Sequence, residues 1–216
     1  MKVAQLHSWQ VDAKTAACIQ QDLASRISCK GNLVNISYVA GVDISVNRSL
    51  DTATAAVVVL KYPELYPVEI KKSSGRIPYP YIPGLLSFRE APLILETCQM
   101  VNIEPDLLMV DGQGIAHPRR MGLACHLGLI LNMPTIGCAK SLLCGKYSVP
   151  GNKRGEFSEI VDGNDTIGIA LRSRTGVKPV FISPGHFICL QSAAHWTLNC
   201  CRGYRLPEPT RLAHLA

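Results

Sequence analysis

Val39-Ala-Gly-Val-Asp-Ile-Ser-Val46 decides the fold. Strand side chains alternate between faces, so Val39, Gly41, Asp43 and Ser45 point one way and Ala40, Val42, Ile44 and Val46 the other. A carboxylate therefore sits mid-strand beside small residues. Burying it bare is very costly, so Asp43 requires either a partner or a solvated edge. Around this segment lie three strand-like stretches in quick succession, Tyr38–Val46, Ala53–Leu60 and Pro67–Lys72. The short polar gap Asn47–Thr52 predicts an antiparallel hairpin between the first two. Upstream, Ala16, Ile19, Leu23 and Ile27 mark an amphipathic helix over Val11–Ile27. Downstream the pattern alternates: helix Glu90–Asn102, strand Leu107–Val110, helix Pro118–Leu131 with proline at its start, and buried strand Thr135–Ala139. Strands at Glu156–Val161, Thr166–Arg172 and Val180–Ser183 and a helix-rich C-terminal segment complete the order. Three antiparallel strands followed by alternating helix and strand imply an α/β protein with a mixed β-sheet flanked by helices, in the order of a ribonuclease H-like sheet. With no linker or repeat, residues 1–216 are expected to form one domain.

Composition narrows the class. The chain has 216 residues, 47% hydrophobic and 18% charged, which excludes a disordered or low-complexity protein. The longest apolar runs, Ala55–Leu60 and Leu107–Val110, are far shorter than the ~20 residues of a membrane span. The N-terminal residues do not read as a signal peptide. A cytoplasmic protein without a membrane partner is expected. The net charge of +6 and pI of 8.9 are those of a slightly basic enzyme, or of one with an anionic partner. The nine cysteines form no Cys-x-x-Cys pair and read as reduced core side chains rather than a zinc site.

Three acidic residues stand where chemistry is done. Asp43 lies mid-strand. Asp111 ends an apolar strand and opens the turn Asp111-Gly-Gln-Gly114, at the strand end where α/β proteins place ligands; Asp-Gly is also an ordinary turn pair. Glu90 follows Pro78-Tyr-Pro-Tyr-Ile-Pro-Gly84 and begins a helix, where acids also occur for dipole reasons. Hard carboxylate oxygens without a thiolate or histidine cluster suit Mg²⁺, with Mn²⁺ as a substitute, and such ions activate water at a scissile phosphate. Lys140, at the end of the Thr135–Ala139 strand, is placed to steady developing negative charge. Arg119-Arg120, Lys146, Lys153-Arg154, Arg172, Arg174 and Lys178 are candidate phosphate contacts or solvated surface. In Pro80-Tyr81-Ile82-Pro83-Gly84 two prolines stiffen the chain around a tyrosine. That is either a stacking wedge or a rigid structural loop.

Read together, these segments resemble the endonuclease V family, the deoxyinosine 3′ endonucleases. The resemblance rests on Val39–Asp43, Pro80–Glu90, Asp111–Arg120, Gly122–Gly128, Pro134–Ser141, Ser183–His186 and Pro207–His214, and covers nearly the whole chain. It implies a ribonuclease H-like fold and Mg²⁺-dependent nicking of DNA at the second phosphodiester 3′ to a deaminated base, with inosine in RNA as a further candidate substrate. It assigns Asp43, Asp111 and Glu90 to the metal, and His214 and Lys140 to the catalytic centre. It makes Pro80, Tyr81, Ile82 and Pro83 the strand-separating wedge, and Gly84, Gly112, Gly114 and Gly122 parts of a backbone-lined base pocket. Arg119 and Lys140 are the expected phosphate contacts; His117 has no assigned role. Cys125 and Cys138 depart from the family pattern but are small enough to repack. A monomer is expected. Two other readings stay open: a structure-specific nuclease of the same fold that reads no base, and a non-catalytic nucleic-acid binder.

Overall fold

The structure, a computed structural model, describes residues 1–47, 49 and 51–216. The elements run α1 (Ala13–Ala24), β1 (Tyr38–Asn47), β2 (Thr52–Lys61), β3 (Tyr66–Arg76), α2 (Leu86–Gln99), β4 (Leu107–Val110), α3 (Leu123–Leu131), β5 (Thr135–Ala139), β6 (Phe157–Asp162), β7 (Asp165–Leu171), β8 (Val180–His186), α4 (Leu190–Asn199) and α5 (Glu208–Leu215). All eight strands join one sheet in the order β3-β2-β1-β4-β5-β8-β7-β6. The predicted hairpin is present: β1 and β2 pair antiparallel from Tyr38↔Lys61 to Asn47↔Thr52. Two residues of its turn, Arg48 and Leu50, lie outside the described residues. β4 joins β1 in parallel, and β5 joins β4 in parallel, so the sheet is mixed and flanked by helices, as the strand order implies.

The alternation read from β1 sorts the two faces. Ala40 and Val42 pack into a core with Val57, Leu108, Ile94 of α2 and Leu127 of α3. Val39 packs on the opposite face with Leu107, Met109, Trp196 of α4 and Ala213 of α5. Asp43 shares that second face, which α5 covers. Burial of these aliphatic side chains, at about 25 cal/mol per Å² of apolar surface, is what holds the layers together.

Several boundaries move. α1 starts at Ala13 because the Asp12 side chain accepts from the Thr15 amide at 2.7 Å and caps it, a standard N-cap. α2 starts at Leu86, so Glu90 lies one turn inside the helix, where the first-turn dipole reading does not apply. α3 starts at Leu123, not Pro118. Arg120 has φ of 54°, a left-handed backbone that ends any helix register before Gly122. The cysteines are all free; five are buried, but Cys18 is exposed. Burial pushes the Cys98 thiol up to about 12. Among the described residues no helix is long and apolar enough to cross a membrane.

Candidate active site

Parallel pairing puts the two aspartates side by side. β1 and β4 run in register with Val42 opposite Val110, and the Asp111 amide donates to the Val42 carbonyl at 3.2 Å. The next residue on each strand is an aspartate. Asp43 still lies within β1, whereas Asp111 stands just past the end of β4. α5 brings in the third group. Its first turn rests on Gly41, where a Cβ would lie 1.9 Å from the Pro209 carbonyl oxygen; only glycine admits this approach. The helix then delivers His214, whose Nδ1 is 2.6 Å from Asp43 Oδ2. One ligand atom from each of Asp43, Asp111 and His214 lies within 4.8 Å of the others.

Glu90 stands outside this trio but feels it. Burial first, then the charges of Asp43 and Asp111, raise its carboxyl to about 8. Asp111 is also raised, by burial foremost and by Asp43, against the bond it accepts from Lys140. Lys140 Nζ is 2.5 Å from Asp111 Oδ2. Three carboxyls crowded into a partly buried space, with one imidazole and no thiolate, form a donor set that a hard divalent cation relieves.

Next to this centre opens a cavity of about 340 Å³. Asp111, Lys140, Gly112, Gly84, Tyr81 and Leu123 line it. The Tyr81 side chain is 69% exposed at the loop tip, so it is not packed inward. Gly84 has φ of +79°, a conformation that favours glycine. Its carbonyl accepts from His117 Nε2 at 2.9 Å and Arg119 Nη2 at 2.6 Å. Gly112 is different: it lines the cavity, and an added Cβ there would meet only ordinary contacts, the nearest at 3.5 Å. Gly114 stands behind the wall, where a Cβ would lie 2.0 Å from the Pro184 carbonyl oxygen. Gly122 lines the cavity and also touches the Gln113 backbone.

Arg119, expected on a phosphate, has its Nε on Gln20 Oε1 at 2.6 Å and its Nη2 on Gly84. It braces the loop. His117 gains a role beside it. Its Nε2–H donates to Gly84 while Nδ1 accepts the Arg119 amide at 3.1 Å, which fixes a neutral tautomer. Burial foremost depresses it to about 4.

Four positioning residues are not visible in the sequence. Gln20 of α1 holds Arg119 and donates to the Met121 carbonyl at 3.1 Å. Gln113 Nε2 donates to the Ser141 carbonyl at 2.9 Å, bridging the Asp111 and Lys140 strand ends. Buried Ser183 accepts from the Gly114 amide at 2.8 Å. Arg205 donates to the carbonyls of Lys140 (2.6 Å), Pro179 (2.8 Å) and Lys178 (3.1 Å), tying the segment before α5 to the Lys140 strand end.

Comparison with known proteins places this arrangement. The Endonuclease V family model matches residues 21–215. The chain belongs to the endonuclease V family. Endonuclease V of Dehalococcoides mccartyi is 50% identical over 216 residues, covering 100% of this chain and 97% of the relative. The crystal structure of endonuclease V from Streptomyces avermitilis superposes with a TM-score of 0.92 at 38% identity, covering 100% of this chain and 95% of that one. Ciona intestinalis endonuclease V was solved with a 24mer DNA containing an inosine followed by a ribo-adenosine. It superposes with a TM-score of 0.82 at 28% identity, covering 94% of this chain and 96% of that one. The fold is thus ribonuclease H-like, and the chain is an enzyme of the deoxyinosine 3′ endonuclease family, a phosphodiester hydrolase.

Proposed function

We propose that this endonuclease V reads hypoxanthine in the cavity beside Asp111 and nicks the same strand at the second phosphodiester 3′ to it, with Mg²⁺, or Mn²⁺ in its place, held by Asp43, Asp111 and His214. The observation that carries the reading is one shared wall. Asp111 belongs both to the ligand trio and to the lining of a cavity bounded by the Tyr81 loop and Gly112. A base in the cavity fixes where its own strand meets the carboxylates. When bound, the cation supplies activation of water and neutralisation of charge on the phosphate. The protein's own groups set the geometry. Asp43 orients the His214 ring through Nδ1. Glu90, neutral up to about pH 8 when no cation is present, limits repulsion among the acids. Lys140 stands at the end of β5 to meet the phosphate as its charge grows.

Hypoxanthine offers an N1–H donor and an O6 acceptor and lacks the amino group of guanine. A close-fitting wall at Gly112 and Gly84 accepts it and rejects guanine by clash. To reach the cavity from a duplex the nucleotide must leave the stack, at a cost of a few kcal/mol. Exposed Tyr81, on its proline-stiffened loop, is suited to hold the gap open, since base–aromatic stacking returns about 1–3 kcal/mol. The Ciona complex, in which a ribo-adenosine follows the inosine, favours inosine in RNA as a second substrate.

The test is a nicking assay on one oligonucleotide with inosine or guanosine at a single position, as DNA and as RNA, with Mg²⁺ or with EDTA. Cutting confined to inosine strands in Mg²⁺ is the expected result. Equal cutting of both strands identifies a structure-specific nuclease, and binding without cutting a non-catalytic protein.

A further inference from the structure

A second cavity, of about 600 Å³, lies against the other side of the Tyr81 loop. Ile82 lines both cavities, so the loop is the partition between them. Trp9, Tyr79 and Phe88 supply aromatic walls to the second one. Phe88 is fully buried and packs against Trp9 at 5.5 Å and Tyr79 at 5.7 Å between ring centres. The Tyr79 hydroxyl is buried with no hydrogen-bond partner among the described residues. Two guanidinium groups line the cavity, Arg76 and Arg89, the latter with its Nη1 donating to the Tyr79 carbonyl at 2.5 Å, against one acid, Asp12, which is engaged in capping α1. None of Asp43, Asp111, Glu90 or His214 lines it. Size, aromatic lining and an excess of positive charge describe a binding site for a planar, anionic guest.

We propose that this cavity receives the unpaired base that the wedge leaves on the complementary strand, opposite the lesion. The proposal rests on the inosine reading above. A loop that enters a duplex leaves two bases without partners. The cavity beside Asp111 takes one of them, and the second stands on the far side of the partition. The half-buried rings of Trp9 and Tyr79, backed by Phe88, hold any base by its π-face without regard to sequence, and Arg76 and Arg89 match the phosphates that flank it. The enzyme then offsets the cost of opening on both strands.

The experiment fills the cavity. Ala13, exposed at the start of α1, lines it, so Ala13→Trp blocks it without touching the reaction centre. Single-turnover nicking is measured on an inosine single strand, on its duplex with cytosine opposite, and on its duplex with an abasic site opposite. Ala13→Trp is expected to raise the half-saturating enzyme concentration on the cytosine duplex about tenfold, the scale of one base–aromatic stack. The single strand should be unchanged, and the abasic duplex should show no difference between variant and wild type. Emission offers a second readout on the wild-type protein. The chain has two tryptophans, and Trp196 is buried in the other core, so quenching by DNA reports Trp9. The cytosine duplex should quench it more than the abasic duplex. Equal quenching by the two duplexes, an unchanged cytosine-duplex value, or equal losses on duplex and single strand would each overturn the proposal. A wild-type protein that shows no inosine preference even on single strands would instead overturn the functional reading, and this one with it.

Discussion

Gly112 lines the cavity, and the contacts around it do not demand a glycine. A methyl group there meets only ordinary contacts, with Leu123 and Val110, and Leu123 itself lines the cavity. Gly112→Ala should therefore melt within a few degrees of wild type. Its single-turnover nicking of inosine DNA should fall by roughly 10–200-fold, the scale on which one methyl or methylene decides fit in a tight site. Circular dichroism melting with a gel-based nicking assay checks both halves; a large loss of stability would return Gly112 to the packing glycines, alongside Gly114. At this scale the sequence is partly legible. Asp43, Asp111 and Lys140 stand out because each interrupts or ends an apolar strand, and a polar group there requires a reason. Ser183, Gln113 and Arg205 do not stand out. Their partners lie 69, 28 and 65 residues away, and a lone polar residue carries no local signal of a bond closed by the fold.

An element brings the imidazole of His214 to the carboxylates. His214 sits near the end of an eight-residue helix, too short to be stable alone. Its place depends on the backbone contact between Gly41 and Pro209. Gly41→Ala should push α5 off β1, because the clash is with backbone that has no rotamer to change. The expected outcome is a loss of more than tenfold in nicking rate, with a lowered melting temperature from the loosened Ala213 contact in the core. Full activity would show that His214 is held by its bond to Asp43 alone. The strands were legible from β-branched runs and turn residues, and β1 through its alternation. Helix starts were less so. Pro118 reads as a helix opener, but the left-handed Arg120 that separates it from α3 is a tertiary consequence of the turn that wraps Gly122 onto Gln113. Likewise Leu85 offers no side-chain cap to mark the start of α2.

The whole molecule balances its protons across two buried regions of opposite sense. His126 is buried beside His7, with Nε2 atoms 2.6 Å apart, and burial foremost lowers it to about 3 from 6.5. A depressed histidine binds its proton in the unfolded chain first. Its contribution is complete above pH 6.5 and declines as pH falls from there toward 3. Glu90, raised to about 8, runs the other way in the cation-free protein: the folded state holds the proton between about 4.5 and 8, so stability rises as pH falls through that window. His126→Leu isolates the first effect. The difference in unfolding free energy between wild type and variant should change by about 1.4 kcal/mol per pH unit between 6.5 and 4, in the sense that the wild type loses more stability than the variant on acidification. Urea titrations at several pH values measure it; parallel curves would mean that His126 carries its proton in the folded state. In the proposed function one wall, at Asp111, serves both the base and the cation. The most direct test is single-turnover nicking and binding of one single-stranded oligonucleotide, with inosine or guanosine at a single position, by wild type and Asp111→Ala in Mg²⁺. Wild type should cut at the second phosphodiester 3′ to inosine only, and Asp111→Ala should still prefer the inosine strand in binding but leave it uncut. Cutting by Asp111→Ala at the wild-type rate, or a cut site that does not follow the inosine when it is moved along the strand, would contradict the proposed function.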